Sequence, residues 1–166
     1  HHRAAYALED IAEQGVINAG DASFVSEKEK SLWKKSLAVY EHVSRLKSIP
    51  LIGKPLFGIM DKFLHIPSFY PIRDLSEQTF QVRMLVSSIN KGLFNGVLQK
   101  IQEKYLPMVT SFYAPAVAAD LAGYDQIYCI ICDADINRVW VAPEPWDSRI
   151  RYFAPCGKAA QRLKAY

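Results

Sequence analysis

The sequence predicts an α/β fold: a Rossmann-like parallel sheet with helices on both faces, carrying a helical insertion over about residues 26–105. Three observations predict it. The last third alternates strand and helix patterns, from "PMVTSFY" and "PAVAADLAG" through "QIYCIIC" and "RIRYFAP" to "GKAAQRLKAY". Such alternation builds right-handed βαβ units around a parallel sheet. The run "IYCIIC" has no polar alternation, as expected of a strand covered on both faces. The segments before it instead repeat apolar residues at helical spacing.

The elements follow in order. Ala4, Ala5, Leu8, Ile11 and Ala12 recur at helical spacing, and Gly15 stops the run. Ser26 opens "SEKE", a capping box in which Glu29 reaches back to the N-cap. Trp33, Leu37, Tyr40 and Val43 extend one stripe, giving a helix over Glu27–Lys47. Pro55 starts a short helix through Leu64. Asp74 and Glu77 repeat the capping-box pattern ahead of a helix over Leu75–Asn90, broken near Gly92. Phe94, Val97, Leu98 and Ile101 share one face of a helix over Asn95–Tyr105. Strands are expected at Met108–Phe112, Ile127–Cys132 and Ile150–Phe153. A helix begun by Pro115 and ended by Gly123 joins the first two, and a last helix follows the third.

Composition narrows the function. The chain has 166 residues, the size of one domain; half are apolar and 22% are charged, enough to build a core. A net charge of +3 is too small to argue for nucleic acid. Three cysteines suit a reducing compartment, hence the cytoplasm, better than a disulfide framework. The sequence shows no signal peptide and no apolar run long enough to span a bilayer.

Ligands of an open parallel sheet bind beyond the carboxyl ends of its strands. Asp133 sits there, after "YCIIC". Asp135, Asn137, Arg138 and Trp140 follow on the same connection. They read either as a wall of an active-site cleft or as a capped loop with a Trp packed below it. In "SFYAPAVAADL" a strand end meets a small-residue helix, and the amides of Ala116 and Val117 are expected to point into the cleft. Cys129 and Cys132 form a C-x-x-C, but within a strand they point to opposite faces and read as small core residues. Cys156 reads as a thiol at a strand–helix turn, without a partner that would make it a nucleophile. "PCGKAAQ" lacks the first glycine and the Ser/Thr of a phosphate loop. His42 and His65 read as surface or interface residues.

The pieces "VTSFYAPAVAADLAG", "YCIICDADINRVWV" and "RIRYFAPCGKAAQRLKAY" resemble the N-terminal, acceptor-side domain of two-domain GT-B-type glycosyltransferases. The nearest group includes monogalactosyldiacylglycerol synthases and MurG-type N-acetylglucosaminyltransferases. Asp133 matches the family Asp and Trp140 the family Trp, while Asn137 stands where a His is common. "HHRAAYAL" fits the family's Gly-Gly-Gly-His loop and small-residue helix, with His2 at the His position. The pair His1–His2 is therefore read as native rather than as the stub of a tag. The resemblance implies that residues 1–166 are an incomplete N-terminal domain, lacking a first strand and a C-terminal donor-binding domain.

The function so implied is inverting transfer of a sugar from a nucleotide-sugar donor to an acceptor hydroxyl, by a chain inactive without its donor half. His2 and Asp133 are the expected catalytic residues. His1, Ala114, Pro115, Ala116, Asn137 and Trp140 are the expected substrate-binding residues. No cofactor and no metal are called for, because helix N-termini and basic residues can hold the diphosphate. The rivals are a non-catalytic Rossmann-like binding domain and a nucleotide-sugar epimerase.

The stretch Leu51–Tyr70 is dense in large apolar residues, with Lys54, Lys62 and His65 among them. Such a segment can lie in a membrane interface. Phe57, Met60, Phe63 and Leu64 would then form a patch beside the cleft, for a lipid acceptor at the inner face of the membrane. The other reading packs this face on Trp33 and Tyr40 or on a partner subunit.

Overall fold

The computed structural model describes residues 2–13, 15–20, 23–46, 65–70 and 74–166. His1 and the patch residues Phe57, Met60, Phe63 and Leu64 lie outside the described residues, as does the short helix expected after Pro55.

The fold is α/β. Strands β1 (Met108–Thr110), β2 (Ile127–Ile130) and β3 (Ile150–Phe153) form one parallel sheet in the order β1-β2-β3. Ile127 is in register with Met108 on one side and Ile150 on the other. Each crossover steps the same way across the sheet, and right-handed crossovers then put both connections on one face. The first is an α-helix, Tyr113–Leu121. The second holds a 3-10 turn at Arg138–Trp140, which contacts that helix.

Four alanines let the crossover helix lie close to all three strands: Ala114, Ala116, Ala118 and Ala119 are buried. The helix ends where the sequence predicts. Gly123 takes φ +80°, and the amides of Gly123 and Tyr124 turn back onto the carbonyls of Asp120 and Ala119. That closes the Schellman pattern a left-handed residue permits.

The sheet faces differ. Met108, Ile127, Cys129 and Ile150 point under the crossover helix and are buried. Fully burying a side chain such as Ile127 contributes roughly 1.5–3 kcal/mol. The alternate residues face the other way. Among the described residues that face stays open, with Val109 51% and Phe153 55% exposed. The guanidinium of Arg151 there lies 5.3 Å from the Tyr128 ring centre and donates to its hydroxyl. The unbroken apolar run of β2 therefore marks one fully covered face and one partly covered face.

In chain order the helices are α1 (His2–Tyr6), α2 (Glu27–Leu46), α3 (Phe80–Asn90), α4 (Asn95–Lys104), the crossover helix α5 and the last helix α6 (Gly157–Ala165). The insertion predicted over about 26–105 contributes α2, α3 and α4, while residues 65–70 and 74–79 within it are not helical. The first helix is shorter than expected. It stops at Tyr6 and gives way to a 3-10 turn at Glu9–Ile11, with Ile11 80% exposed. Helical spacing without a packed face does not sustain a helix.

Two capping boxes resolve differently from the sequence pattern. Ser26 does cap α2, its Oγ accepting the amide of Glu29 at 3.2 Å. The Glu29 carboxylate does not reach back. It is 1% exposed and accepts the amides of Phe94 at 2.8 Å and Gly96 at 2.9 Å. It thus caps α4, whose own N-cap residue, Phe94, has no side-chain acceptor and sits at φ +71°. Gly96 makes a close approach at that contact: an added Cβ would lie 3.0 Å from the Phe24 ring and 3.3 Å from the Phe24 carbonyl and the Val25 Cα. At the second box, Asp74 accepts the amide of Ser76 in a tight turn, and the helix starts later, capped by Thr79. The carbonyl of Ser76 is held by Arg138, which keeps residues 74–79 out of the helix.

Candidate site at the carboxyl edge of the sheet

The ends of the three strands are knitted together. After β1, the Thr110 hydroxyl accepts the amide of Phe112 at 3.1 Å, turning the chain into α5. After β2, the amide of Ile131 continues the ladder to Phe153. The Cys132 thiol then lies 3.9 Å from the Ser111 carbonyl, and the Cys156 thiol 3.4 Å from that of Ala134. The end of β2 is thereby bracketed by the ends of β1 and β3. Parallel register alone brings Asp133 and the start of α5 to the same edge.

Asp133 is exposed, and no hydrogen bond or ion pair engages it among the described residues. Asp135, two residues on, is engaged on every side. Its carboxylate accepts from Arg162 Nε at 3.0 Å, from Lys158 Nζ at 2.8 Å and from the amide of Ile136 at 3.0 Å. Burial pushes its pKa up, but these donors outweigh burial and bring it down to about 2. Arg162 in turn donates to the Pro67 carbonyl at 2.6 Å, and its guanidinium carbon lies 4.0 Å from the Phe69 ring centre. Asp135 is thus a strut that ties α6 and residues 67–69 to the connection.

Arg138 is the second strut. It is 3% exposed and faces no carboxylate hydrogen-bond partner. Its donors reach the carbonyls of Ser76, Val141, Ala142 and Pro143 at 2.7–3.0 Å. All of its N–H groups are used in this way, so the buried cation is solvated by backbone. Glu29 and Arg162 are buried polar groups with partners far off in sequence, and Arg138 joins the nearby carbonyls of Val141, Ala142 and Pro143 to that of the distant Ser76.

The remaining expected site residues divide. Ala114 and Ala116 are buried under the sheet edge, and Pro115 is half-buried beside them. The helix starts at Tyr113, earlier than Pro115, so Val117 lies in the second turn. Its amide belongs to the helical ladder, and the first turn offers Tyr113 and Ala114 instead, a correction to the expected pair. Trp140 is 4% exposed, with its ring centre 5.2 Å from that of Tyr113 and 6.2 Å from that of Phe112. It underpins the β1–α5 turn from below. Asn137 is half-buried, and its Oδ1 has no partner among the described residues.

His2 starts α1, and the placement of its side chain lies outside the described residues. Cys129 is buried, and burial first, with Cys132 nearby, pushes its thiol up to about 12. Cys132 is exposed beyond the strand end rather than in the core as expected, and Cys156 is exposed as well.

Among the described residues no group of three or more His, Cys, Asp or Glu is placed to hold a metal ion, and no helix is long and apolar enough to cross a membrane. No family model, curated protein or solved structure matches the chain.

Proposed function

We propose that the carboxyl edge of this sheet is the acceptor side of a sugar-transfer site. The observation that carries the reading is the division of labour between two carboxylates: Asp135 is consumed by Arg162 and Lys158, while Asp133 stands exposed and, among the described residues, unpaired at the sheet edge where α5 also begins. An unengaged carboxylate can accept a proton. In the proposed step the acceptor hydroxyl oxygen bonds to the anomeric carbon of a nucleotide sugar. The bond from that carbon to the diphosphate breaks, and its electrons leave with the nucleoside diphosphate. The hydroxyl proton passes to Asp133, or to His2 with Asp133 orienting the imidazole. The amides of Tyr113 and Ala114 supply neutral donors at the same edge. The donor nucleotide and the acceptor are the partners of this site, and a lipid acceptor would bring a peripheral membrane contact.

The open sheet face favours the rival reading, a non-catalytic binding domain, since Val109 and Phe153 offer an apolar surface there. One assay separates the two. Full-length protein is tested for transfer from a panel of nucleotide sugars, with Asp133→Asn alongside. The expected result is turnover lower by about 10²–10⁴-fold for a lost general base. Stability should change by less than about 0.5 kcal/mol, as at other exposed positions. Equal turnover of variant and wild type would overturn the assignment, and absence of transfer by wild type favours the binding domain.

A further inference from the structure

Among the described residues the lysines differ in whether a carboxylate holds them, and Lys34 and Lys164, like those of the groove below, have none. Lys30, Lys100, Lys104 and Lys158 each pair with a carboxylate, to Glu27, Glu103, Glu13 and Asp135 in turn. Lys28, Lys35 and Lys91 make no ion pair among the described residues, and they line the same groove.

That groove lies between α2 and the end of α3 and measures about 580 Å3. Lys28, Ser31 and Lys35 come from one face of α2, at the spacing that stacks side chains along a helix. Asn90 and Lys91 close the other side, and Leu32 completes the lining. Among the described residues no carboxylate lines it. The two nearest in sequence are committed elsewhere: Glu27 to Lys30 and Glu29 to the amides of α4. An adjoining depression shares Asn90 and Lys91 and adds Arg83. The early turns of α2 add partial positive charge near Lys28, while the carbonyl end of α3 opposes an anion. The lysines themselves therefore carry the attraction.

Three lysines without an ion pair among the described residues line one recess together with Ser31 and Asn90, a set that suits a ligand of several negative oxygens. We infer that the α2–α3 groove binds a phosphate-bearing anion. This site is separate from the carboxyl edge and stands independently of the sugar-transfer reading. The phosphate belongs either to a soluble oligophosphate or to a lipid headgroup, and the two sources are separable.

The test compares wild type with the triple variant Lys28→Gln, Lys35→Gln, Lys91→Gln. A control of equal charge, Lys100→Gln, Lys104→Gln, Lys164→Gln, lies elsewhere. One arm titrates tripolyphosphate and follows backbone amide shifts by NMR. The other measures co-sedimentation with phosphatidylcholine vesicles, with and without phosphatidylglycerol. Binding in either arm is expected to fall by about a hundredfold in the groove variant and much less in the control. Shifts in wild type should centre on Lys28–Lys35 and Asn90–Lys91. Binding to tripolyphosphate identifies a soluble ligand, and binding to phosphatidylglycerol alone identifies a headgroup. No binding by wild type in either arm overturns the inference. So does an unchanged groove variant, or an equal loss in both variants.

Discussion

Asp133 and Asp135 stand two residues apart on one connection and meet opposite fates. The first is exposed and unengaged; the second is locked between Arg162, Lys158 and a backbone amide. The boundary between them separates the part of the connection open to chemistry from the part that holds the fold. From Ile136 to Pro143 nearly every side chain is buried, and Arg138 gathers carbonyls from Val141 to Pro143 together with Ser76. A long crossover without an α-helix needs such struts, because its backbone groups have no regular ladder to satisfy them.

The contrast can be broken most sharply at Arg138. Replacing it with Met leaves the carbonyls of Ser76, Val141, Ala142 and Pro143 without their donor, at an expected cost of about 3–5 kcal/mol. Arg138→Lys keeps the charge but has too few donors, and most of that loss should persist. Urea unfolding measures both, and a loss below about 1 kcal/mol would show that Arg138 is no strut.

Asp135→Asn comes next. The carboxyl is depressed from 3.8 to about 2, a difference equivalent to roughly 2 kcal/mol. A depressed acid contributes stability that is present above its unfolded value and lost as pH falls through the folded one. Wild type should therefore lose that contribution between pH 3.8 and about 2, whereas Asp135→Asn should lack it throughout. Parallel stability profiles for the two proteins across this window would refute the strut.

The alkaline side sharpens the picture with a smaller effect. Burial raises Tyr166 to about 12, and its hydroxyl donates to the Ile136 carbonyl at 3.0 Å. A raised acid that is neutral when folded stabilises the fold below its unfolded value of 10.0, and that contribution fades between pH 10 and about 12. Tyr166→Phe should remove the hydrogen bond, at a cost of about 1 kcal/mol, and flatten this part of the profile. An unflattened profile would place the alkaline loss elsewhere.

Much of this architecture is legible residue by residue. β3 has the bounds its apolar run predicts, and α5 ends at the glycine that predicts its end. Asp133 was visible as a residue just beyond a buried strand, which is where a parallel sheet opens. Its freedom was not visible, because nothing in "CDADINRVWV" tells the first Asp of the motif from the second. The difference is made by Arg162 and Lys158, contributed by a helix beyond the third strand.

By itself the sequence determined the three strands, their parallel sheet and most helix ends, although β1 and β2 stop at Thr110 and Ile130, short of the expected Phe112 and Cys132. These depend on apolar periodicity and on glycine or cap residues within a turn or two, so each signal and its consequence lie side by side. Only the tertiary structure decided where the charged groups spend their hydrogen bonds. Glu29 left its own helix for amides 65 and 67 residues away. Arg138 reached 62 residues back to Ser76, and Arg162 reached 27 back to Asp135. A buried polar group must find a partner wherever folding places one, and such a choice depends on distances in space that local sequence does not encode.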